Sequence, residues 1–360
     1  MQTQMKAWTL DGLGGPLAFV ERAVPEVRPG SVLVRVEAAA LLSYQEDYVA
    51  GRLLHYSPPS GPFVIGTSAV GTIAAIGRDV WHLEVGHRVM ISPHYIAREN
   101  VDDPAQLLLG LTAYGAGKRI QADWRDGMFA ELALVPKEVV TPIVGLDDLD
   151  AATLCAATRP IVPFGGLLRG RLAVGETVVI TGATGAFGSA AVLLALAMGA
   201  ARVVAAGRDP RALATLLAVA GQRCVPVTLT GDVATDVAAL RTAAGGGAHL
   251  AFDIVGRATD PNATLAALRS LRRNGRLVLM GSLQVPLPID YFELMINNWE
   301  LLGQFMFPPD APRRLFDLVR SGLLDLRAIR TRPFPLADLR AAMSAASSAG
   351  SLELVVLVLS

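Results

Sequence analysis

The segment "VVITGATGAFGSAAVLLALAMGAARVVAAGRD", Val178 to Asp209, constrains this chain more than any other. An apolar, β-branched run meets three glycines, then a small-residue helical stretch, then a second apolar run ending in Gly207-Arg208-Asp209. Strand, glycine turn, helix and strand in that order are the parts of a dinucleotide-binding unit. Gly182, Gly185 and Gly188 are spaced GxxGxxG rather than GxGxxG. The physical logic carries over. One glycine permits a tight turn out of the strand, another lets backbone N–H groups approach a pyrophosphate, and the last lets helix and strand pack closely. The helix N-terminus adds a partial positive charge. Candidate contacts therefore run over Gly182, Thr184, Gly185, Ala186, Phe187 and Gly188. No Lys follows the last glycine, which excludes a Walker-type loop. A strand–turn–helix with a purely structural role is the competing reading, and the strand that follows favours the nucleotide.

The ending of the second strand selects between cofactors. NAD sites usually place a carboxylate there to hold the ribose diol, whereas a guanidinium suits the 2′-phosphate of NADP. Gly207 leaves the space beside it empty, Arg208 follows, and Arg211 lies near. NADPH is expected ahead of NADH. Asp209 keeps the NADH reading open, or caps the next helix. Val255, Gly281 and Ser282, at the ends of two later strands, complete the candidate nucleotide contacts.

This unit sits at the midpoint of 360 residues, so the flanking sequence must build something else. The first third reads as β-rich: "SVLVRVEAAALL", "VIGTSAVGTIAAIG" and "GHRVMISP" are short apolar runs broken by glycine and proline, as in a small barrel. Residues 94–126 are less regular and read as a long lobe or loop. "GMFAELALVPKEVVTPI" returns to strand patterning. From Ala151 the texture changes. "DAATLCAATRPIVPFGGLL" reads as a helix broken near Pro160 with Asp150 as cap. Strands and helices then alternate through "TLAALRSLRRN", a helix, and "GRLVLMGS", a strand, as in a parallel doubly wound sheet. "DAPRRLFDLVRSGLLDL" is a further helix, and the terminal "LELVVLVLS" a strand.

Apolar residues make up 52% of the chain and charged ones 18%, with zero formal net charge. That is ample material for a core and no electrostatic case for nucleic acid or an acidic membrane. Two cysteines, Cys155 and Cys224, make no disulfide framework and suit a cytoplasmic setting. The N-terminus lacks a signal-peptide pattern. The most apolar stretch, Thr177 to Ala206, resolves as strand, loop, helix and strand rather than as a membrane span.

Taken together, these motifs resemble the medium-chain dehydrogenase/reductase superfamily over nearly the whole chain. "GTSAVGTIAAIGRDV" resembles its glycine-rich signature near the active site, and "ELLGQFMF" a sheet strand that usually pairs across a dimer. The resemblance implies an α/β chain with an N-terminal GroES-like β-barrel domain, residues 1–157 and 305–360. A doubly wound parallel Rossmann sheet is implied for residues 158–304, and a homodimer is expected.

Zinc members use Cys, His and Cys as catalytic ligands. Here Ser43 stands at the first position and Thr67 at the second, with only Cys155 near the third. The structural zinc lobe would fall in residues 94–126, which contain no Cys. No zinc is expected, and His87 and His94 read as loop or surface residues. The chain thus resembles the zinc-independent, quinone oxidoreductase-like branch, which delivers hydride to a conjugated carbonyl or related electrophile. "SYQEDYVAG" resembles the stretch whose Tyr lines the substrate cleft, which places Tyr48 there. Tyr44, one turn away, could share its face. A phenol can donate to a developing oxyanion, although a Tyr packed in the domain interface reads equally well. Ser43 and Thr67 could hydrogen-bond a carbonyl, and Tyr56 is a weaker candidate. The quinone-reductase Asn-Pro pattern is absent at Ser43-Tyr44.

Two motifs stand aside. "YGAGK", Tyr114 to Lys118, fits the YxxxK spacing of short-chain reductases but carries two glycines, which makes a helix poor. Arg159 could bind substrate or phosphate, or form a salt bridge. Two other functions compete with the reductase: a catalytically weak NADPH-binding sensor or structural protein, and a zinc-type alcohol dehydrogenase with atypical ligands.

Overall fold

A computed structural model describes residues 2–256 and 258–359. The chain divides into two compact units. One comprises Met1–Thr158, Ile329–Ala349 and Glu353–Ser360, and the other Arg159–Ala328 with Gly350–Leu352.

The first unit is organised around the ten-residue strand Ser31–Ala40, rich in β-branched residues and buried on both faces. One of its edges pairs with Ser68–Ile76, which pairs in turn with Arg88–Ile91. Its other edge is shared. Leu132–Pro136 covers residues 31–35, and Glu353–Val358 covers Ala38–Ala40. Register shifts at Leu33/Val34 and Val36/Ala38 let one strand serve several partners by bending it. The C-terminal strand therefore returns to the first unit. A second sheet, Leu17–Ala23, Gln4–Leu10 and Phe63–Val64, closes over it, and Met5, Ala7, Leu33, Val64, Ala130 and Leu132 form a dry layer. Sheets that bury both faces in this way are barrel-like.

The second unit carries a six-stranded parallel sheet. In chain order its strands are Thr177–Thr181, Arg202–Gly207, Cys224–Thr228, Ala248–Asp253, Leu271–Leu279 and Glu300–Gly303. Their spatial order is third, second, first, fourth, fifth, sixth. The strand order reverses between Thr177–Thr181 and Ala248–Asp253, which is where doubly wound sheets bind ligands. The central strands are near-continuous apolar runs because helices cover both faces.

Several sequence expectations change or sharpen. Residues 305–328, expected with the barrel, belong to the second unit. Helix Ala311–Arg320 packs on helix Ile161–Arg169, with the Arg314 guanidinium over the Phe164 ring at 5.5 Å. Residues 94–126, expected as a lobe or loop, form a lobe with elements of its own. His94–Ile96, Gln106–Leu108 and Thr112–Ala113 form an antiparallel sheet, followed by helix Gly117–Asp123. The helix expected through "SLRRN" stops at Arg269, and Leu271 already begins a strand. Ala248 pairs with Leu271 but Leu250 with Arg276, so the intervening charged residues bulge outward through Asn274 at φ 61°. The helical run Ala151–Arg169 breaks between Thr158 and Ile161, near Pro160 as expected; it is long and apolar enough to cross a membrane by length and composition, with 72% of its apolar window buried inside the fold. Asp150 caps its first turn, accepting from Thr153 N at 2.7 Å.

Candidate functional site

The glycine turn lies at the carboxyl edge of the parallel sheet. Gly182 adopts φ +70°, a left-handed conformation that favours glycine. Gly185 is the N-cap of the twelve-residue helix Ala186–Ala197, so its neighbours present free N–H groups outward. Gly188 is the packing glycine. A Cβ there would lie 2.0 Å from the carbonyl oxygen of Gly182.

The later strand ends interlock with this turn. Ser282 N donates to Val255 O at 3.2 Å and Ser282 Oγ to Gly256 O at 3.0 Å. A Cβ on Gly281 would sit 2.3 Å from Val255 O, and one on Gly182 3.3 Å from Val255 N. The fold therefore brings Gly182, Val255, Gly281 and Ser282 together at one edge. Beneath them lies Asp253, a residue the sequence reading missed, 2% exposed. Its carboxylate accepts from Thr181 Oγ1 at 2.6 Å, Thr264 Oγ1 at 2.8 Å and Val255 N at 3.2 Å. Its carbonyl accepts from Met280 N and Gly281 N. Burial raises its pKa above the ordinary carboxyl value, while the three donors act in the opposite direction. Asp253 ties the ends of three adjacent strands together. Its only sequence signal is an acidic residue closing the apolar run "LAFD".

At the second strand end, the space beside Gly207 is not empty as expected. A Cβ on Gly207 would lie 2.8 Å from Thr184 Cγ2, so the Thr184 methyl occupies it. Asp209 is the N-cap of helix Pro210–Ala220, accepting from Arg211 N at 2.8 Å and Ala212 N at 3.3 Å. Arg208 and Arg211 are exposed. Arg159, 3% exposed, places its guanidinium 5.4 Å from the Phe187 ring centre.

These features fit a dinucleotide: a glycine cradle that any side chain would fill, a long helix N-terminus above it, and an uncapped guanidinium beyond.

In the first unit, Ala40 and Ser68 are register partners. Ser43, three residues beyond Ala40, and Thr67, one before Ser68, leave the same end of that strand pair. Ser43 is half-buried, and Thr67 is 4% exposed. Cys155 approaches the same strand, its Sγ 3.7 Å from Ala38 O. Among the described residues, no three His, Cys, Asp or Glu side chains gather where they could hold a metal ion. One thiol and two hydroxyls are a poor donor set for zinc, which prefers nitrogen and sulfur.

Tyr48 requires correction. It is 0% exposed, and its hydroxyl donates to Leu111 O at 2.6 Å. Burial, with Tyr114 and Tyr44 adding to it, pushes the phenol above its usual range. A phenol with its proton committed to a backbone carbonyl is a packing residue. Its ring meets Tyr56 edge-on at 5.4 Å, and Tyr44 meets the same Tyr56 ring at 6.1 Å. Tyr44 precedes helix Gln45–Val49 as its N-cap, so the two tyrosines do converge on one partner. Tyr56 is also pushed above its usual range, by burial first and then by Tyr44.

His94 is buried, not a surface residue, with Nε2 2.9 Å from Gln106 Oε1. The YxxxK pair does not meet. Helix Gly117–Asp123 begins after Tyr114, whose hydroxyl donates to His55 O. Lys118 donates to Ser57 O at 2.9 Å and Pro58 O at 3.1 Å. Both residues pin the 55–58 loop.

With this geometry in hand, comparisons with known proteins are specific. Residues 28–145 match the family model "Alcohol dehydrogenase GroES-like domain", and residues 186–321 match "Zinc-binding dehydrogenase". The chain is 30% identical over 304 residues to an alcohol dehydrogenase of Moraxella sp. (strain TAE123), covering 84% of this chain and 85% of that one. It is 25% identical over 344 residues to sorbitol dehydrogenase of Bacillus subtilis (strain 168), covering 90% and 88%. Among solved structures, a dehydrogenase from Sinorhizobium meliloti 1021, assigned as zinc-binding and bound to NADP, superposes with a TM-score of 0.78 at 23% identity, covering 99% of this chain and 100% of that one. The chain belongs to the medium-chain dehydrogenase/reductase superfamily of NAD(P)-dependent oxidoreductases, with a GroES-like domain and a Rossmann-type sheet.

Proposed function

We propose that the protein is an NADPH-dependent, zinc-independent reductase acting on a conjugated carbonyl, quinone or related small electrophile. The observation that carries this reading is the donor set: hydroxyl residues, Ser43 and Thr67, stand at the positions that the family resemblance matches to two zinc ligands, with one thiol, Cys155, against the same strand. Without a Lewis acid, alcohol oxidation loses its means of stabilising an alkoxide. A conjugated acceptor needs less, because its negative charge is delocalised as an enolate or phenolate.

When bound, the nicotinamide supplies the hydride. The chain's own residues bind and orient. Backbone N–H groups of Thr184, Ala186, Phe187 and Gly188, beside Gly182, receive the pyrophosphate, while Gly185 N donates to Gly182 O and closes the turn. Val255, Gly281 and Ser282, held by Asp253, border the same edge. Gly207 with Thr184 above it leaves no room for a carboxylate on the strand end. Asp209 is committed to its helix cap, so Arg208, seconded by Arg211, reads the 2′-phosphate by charge-assisted hydrogen bonds. The NADP named for the Sinorhizobium meliloti structure accords with this choice. Hydroxyls of Ser43 and Thr67 donate to the substrate carbonyl oxygen, where negative charge grows as hydride arrives. Solvent then supplies the proton to the enolate.

A second copy of the chain is the proposed partner. Strand Glu300–Gly303 is one edge of the parallel sheet. Around it Tyr291, Phe292, Met295, Ile296, Leu301 and Phe305 are exposed, an apolar surface that association would cover. Sedimentation should give a dimer.

The deciding experiment measures NADPH consumption against a panel of enones and quinones, alongside metal analysis of the purified protein. Turnover without stoichiometric zinc supports the proposal. Stoichiometric zinc with alcohol oxidation would replace it by the reading that the family description "Zinc-binding dehydrogenase" favours.

A further inference from the structure

Gln45 is 1% exposed, and its amide oxygen accepts no hydrogen bond. Among the described residues it is the only fully shielded side-chain oxygen left without a donor. The residue opens the short helix Gln45–Val49, whose two buried residues are Gln45 and Tyr48, one turn apart. Tyr48 is closed off by Leu111 O and the Tyr56 ring; Gln45 has no such partner. Two residues before it lies Ser43, and at the same end of the strand pair lies Thr67. Among the described residues, no hydrogen bond within the protein engages either hydroxyl. Folded proteins pair nearly all their buried polar groups. Gln45 Oε1 is such a group left unpaired, two residues from Ser43 on the segment that leaves the strand end beside Thr67, and an acceptor shielded from water in that position marks a site that a bound donor completes.

The complementary molecule follows from the atoms. The hydroxyls of Ser43 and Thr67 can donate to a carbonyl oxygen. Gln45 Oε1 can only accept, so it needs a donor on the ligand. We propose that Gln45 is a specificity-determining residue that accepts a hydrogen bond from a substrate hydroxyl on the carbon next to the carbonyl. The preferred substrates are then hydroxylated carbonyl compounds. This rests on the reductase reading above, and deepens it by naming the group that the substrate must carry.

The test compares 1-hydroxybut-3-en-2-one with but-3-en-2-one, using NADPH and the full-length protein. A site built around a hydrogen bond to a substrate hydroxyl rejects the analogue lacking it, and a preference in kcat/KM of about tenfold or more is expected. Gln45→Met, which has no acceptor of comparable strength, should bring that ratio close to one. Gln45→Glu, which keeps an acceptor oxygen, should retain it. A wild-type ratio near one, or a ratio undiminished in Gln45→Met, overturns the proposal. Binding provides the second readout, using 1-hydroxybutan-2-one against butan-2-one in thermal unfolding with NADPH present. Failure of both enones to turn over would sink the reductase reading, while the binding ratio still decides the role of Gln45. Should Gln45→Met not fold, the wild-type ratio and Gln45→Glu decide it.

Discussion

Gly188 and Gly182 touch so closely that a Cβ on Gly188 would lie 2.0 Å from the Gly182 carbonyl oxygen. At Gly185 the same atom would be 3.2 Å away. The glycines of one motif thus have unequal tolerance. Gly188→Ala must displace the turn from the helix and should cost about 1–3 kcal/mol or more, with loss of nucleotide binding. Gly185→Ala should be milder. Fluorescence titration with NADPH checks the order, and a reversed order would mean that phosphate approach limits binding more than helix packing does.

Arg208→Ala should weaken NADPH by about 1.5–3 kcal/mol, the worth of a charged hydrogen bond, and leave NADH nearly unchanged. Asp209→Ala should remove a helix cap worth about 1 kcal/mol without altering cofactor preference. Calorimetric titration of both variants separates the roles. Selective loss of NADH affinity in Asp209→Ala would show that Asp209 holds the ribose instead.

Tyr48→Phe should act on stability. It leaves the buried Leu111 carbonyl without its donor, at about 1–3 kcal/mol, visible as a lower unfolding midpoint in denaturant. Turnover per folded molecule should be unchanged. A large fall in kcat with normal stability would return Tyr48 to the mechanism.

Stability should fall as pH drops below neutral, through His249. Its Nδ1 faces Thr177 N at 3.1 Å and its Nε2 faces Arg272 Nη1 at 2.7 Å. Burial first, then the Arg272 charge, lower its pKa from the ordinary 6.5. In the unfolded chain it protonates near that ordinary value; in the folded chain it resists. Its contribution is therefore present above about 6.5 and is lost as pH falls toward the depressed folded value. His249→Gln should flatten the unfolding midpoint between pH 7 and pH 5. An equal slope in wild type and variant would assign the dependence elsewhere.

Much of the fold was legible because local patterns decide it. The strand–glycine–helix unit, the repeated βα alternation and the Asp150 cap depend on periodicity and turn chemistry within a few residues. The small strands of residues 94–113 were not legible, since two- and three-residue strands carry too little pattern and exist only through their partners. The charged bulge at 272–275 misled for a related reason: exposed arginines following a helix continue its polar face on paper, whereas pairing of Leu271 and Arg276 with Ala248–Asp253 turns them out as a bulge between paired residues.

For the site, the order of residues states which atoms are available. It supplies a glycine cradle, an Arg-Asp pair after the second strand, and hydroxyls where metal ligands would stand. Which of those atoms remain unengaged depends on the packing of the folded chain. Asp209 is spent on a helix cap and the Tyr48 proton on a backbone carbonyl, whereas Gln45, three residues from Tyr48, keeps its acceptor open. The reason is physical. A polar side chain's availability depends on what packs around it, and those partners, Leu111 for Tyr48 among them, come from distant parts of the chain that no local pattern brings together.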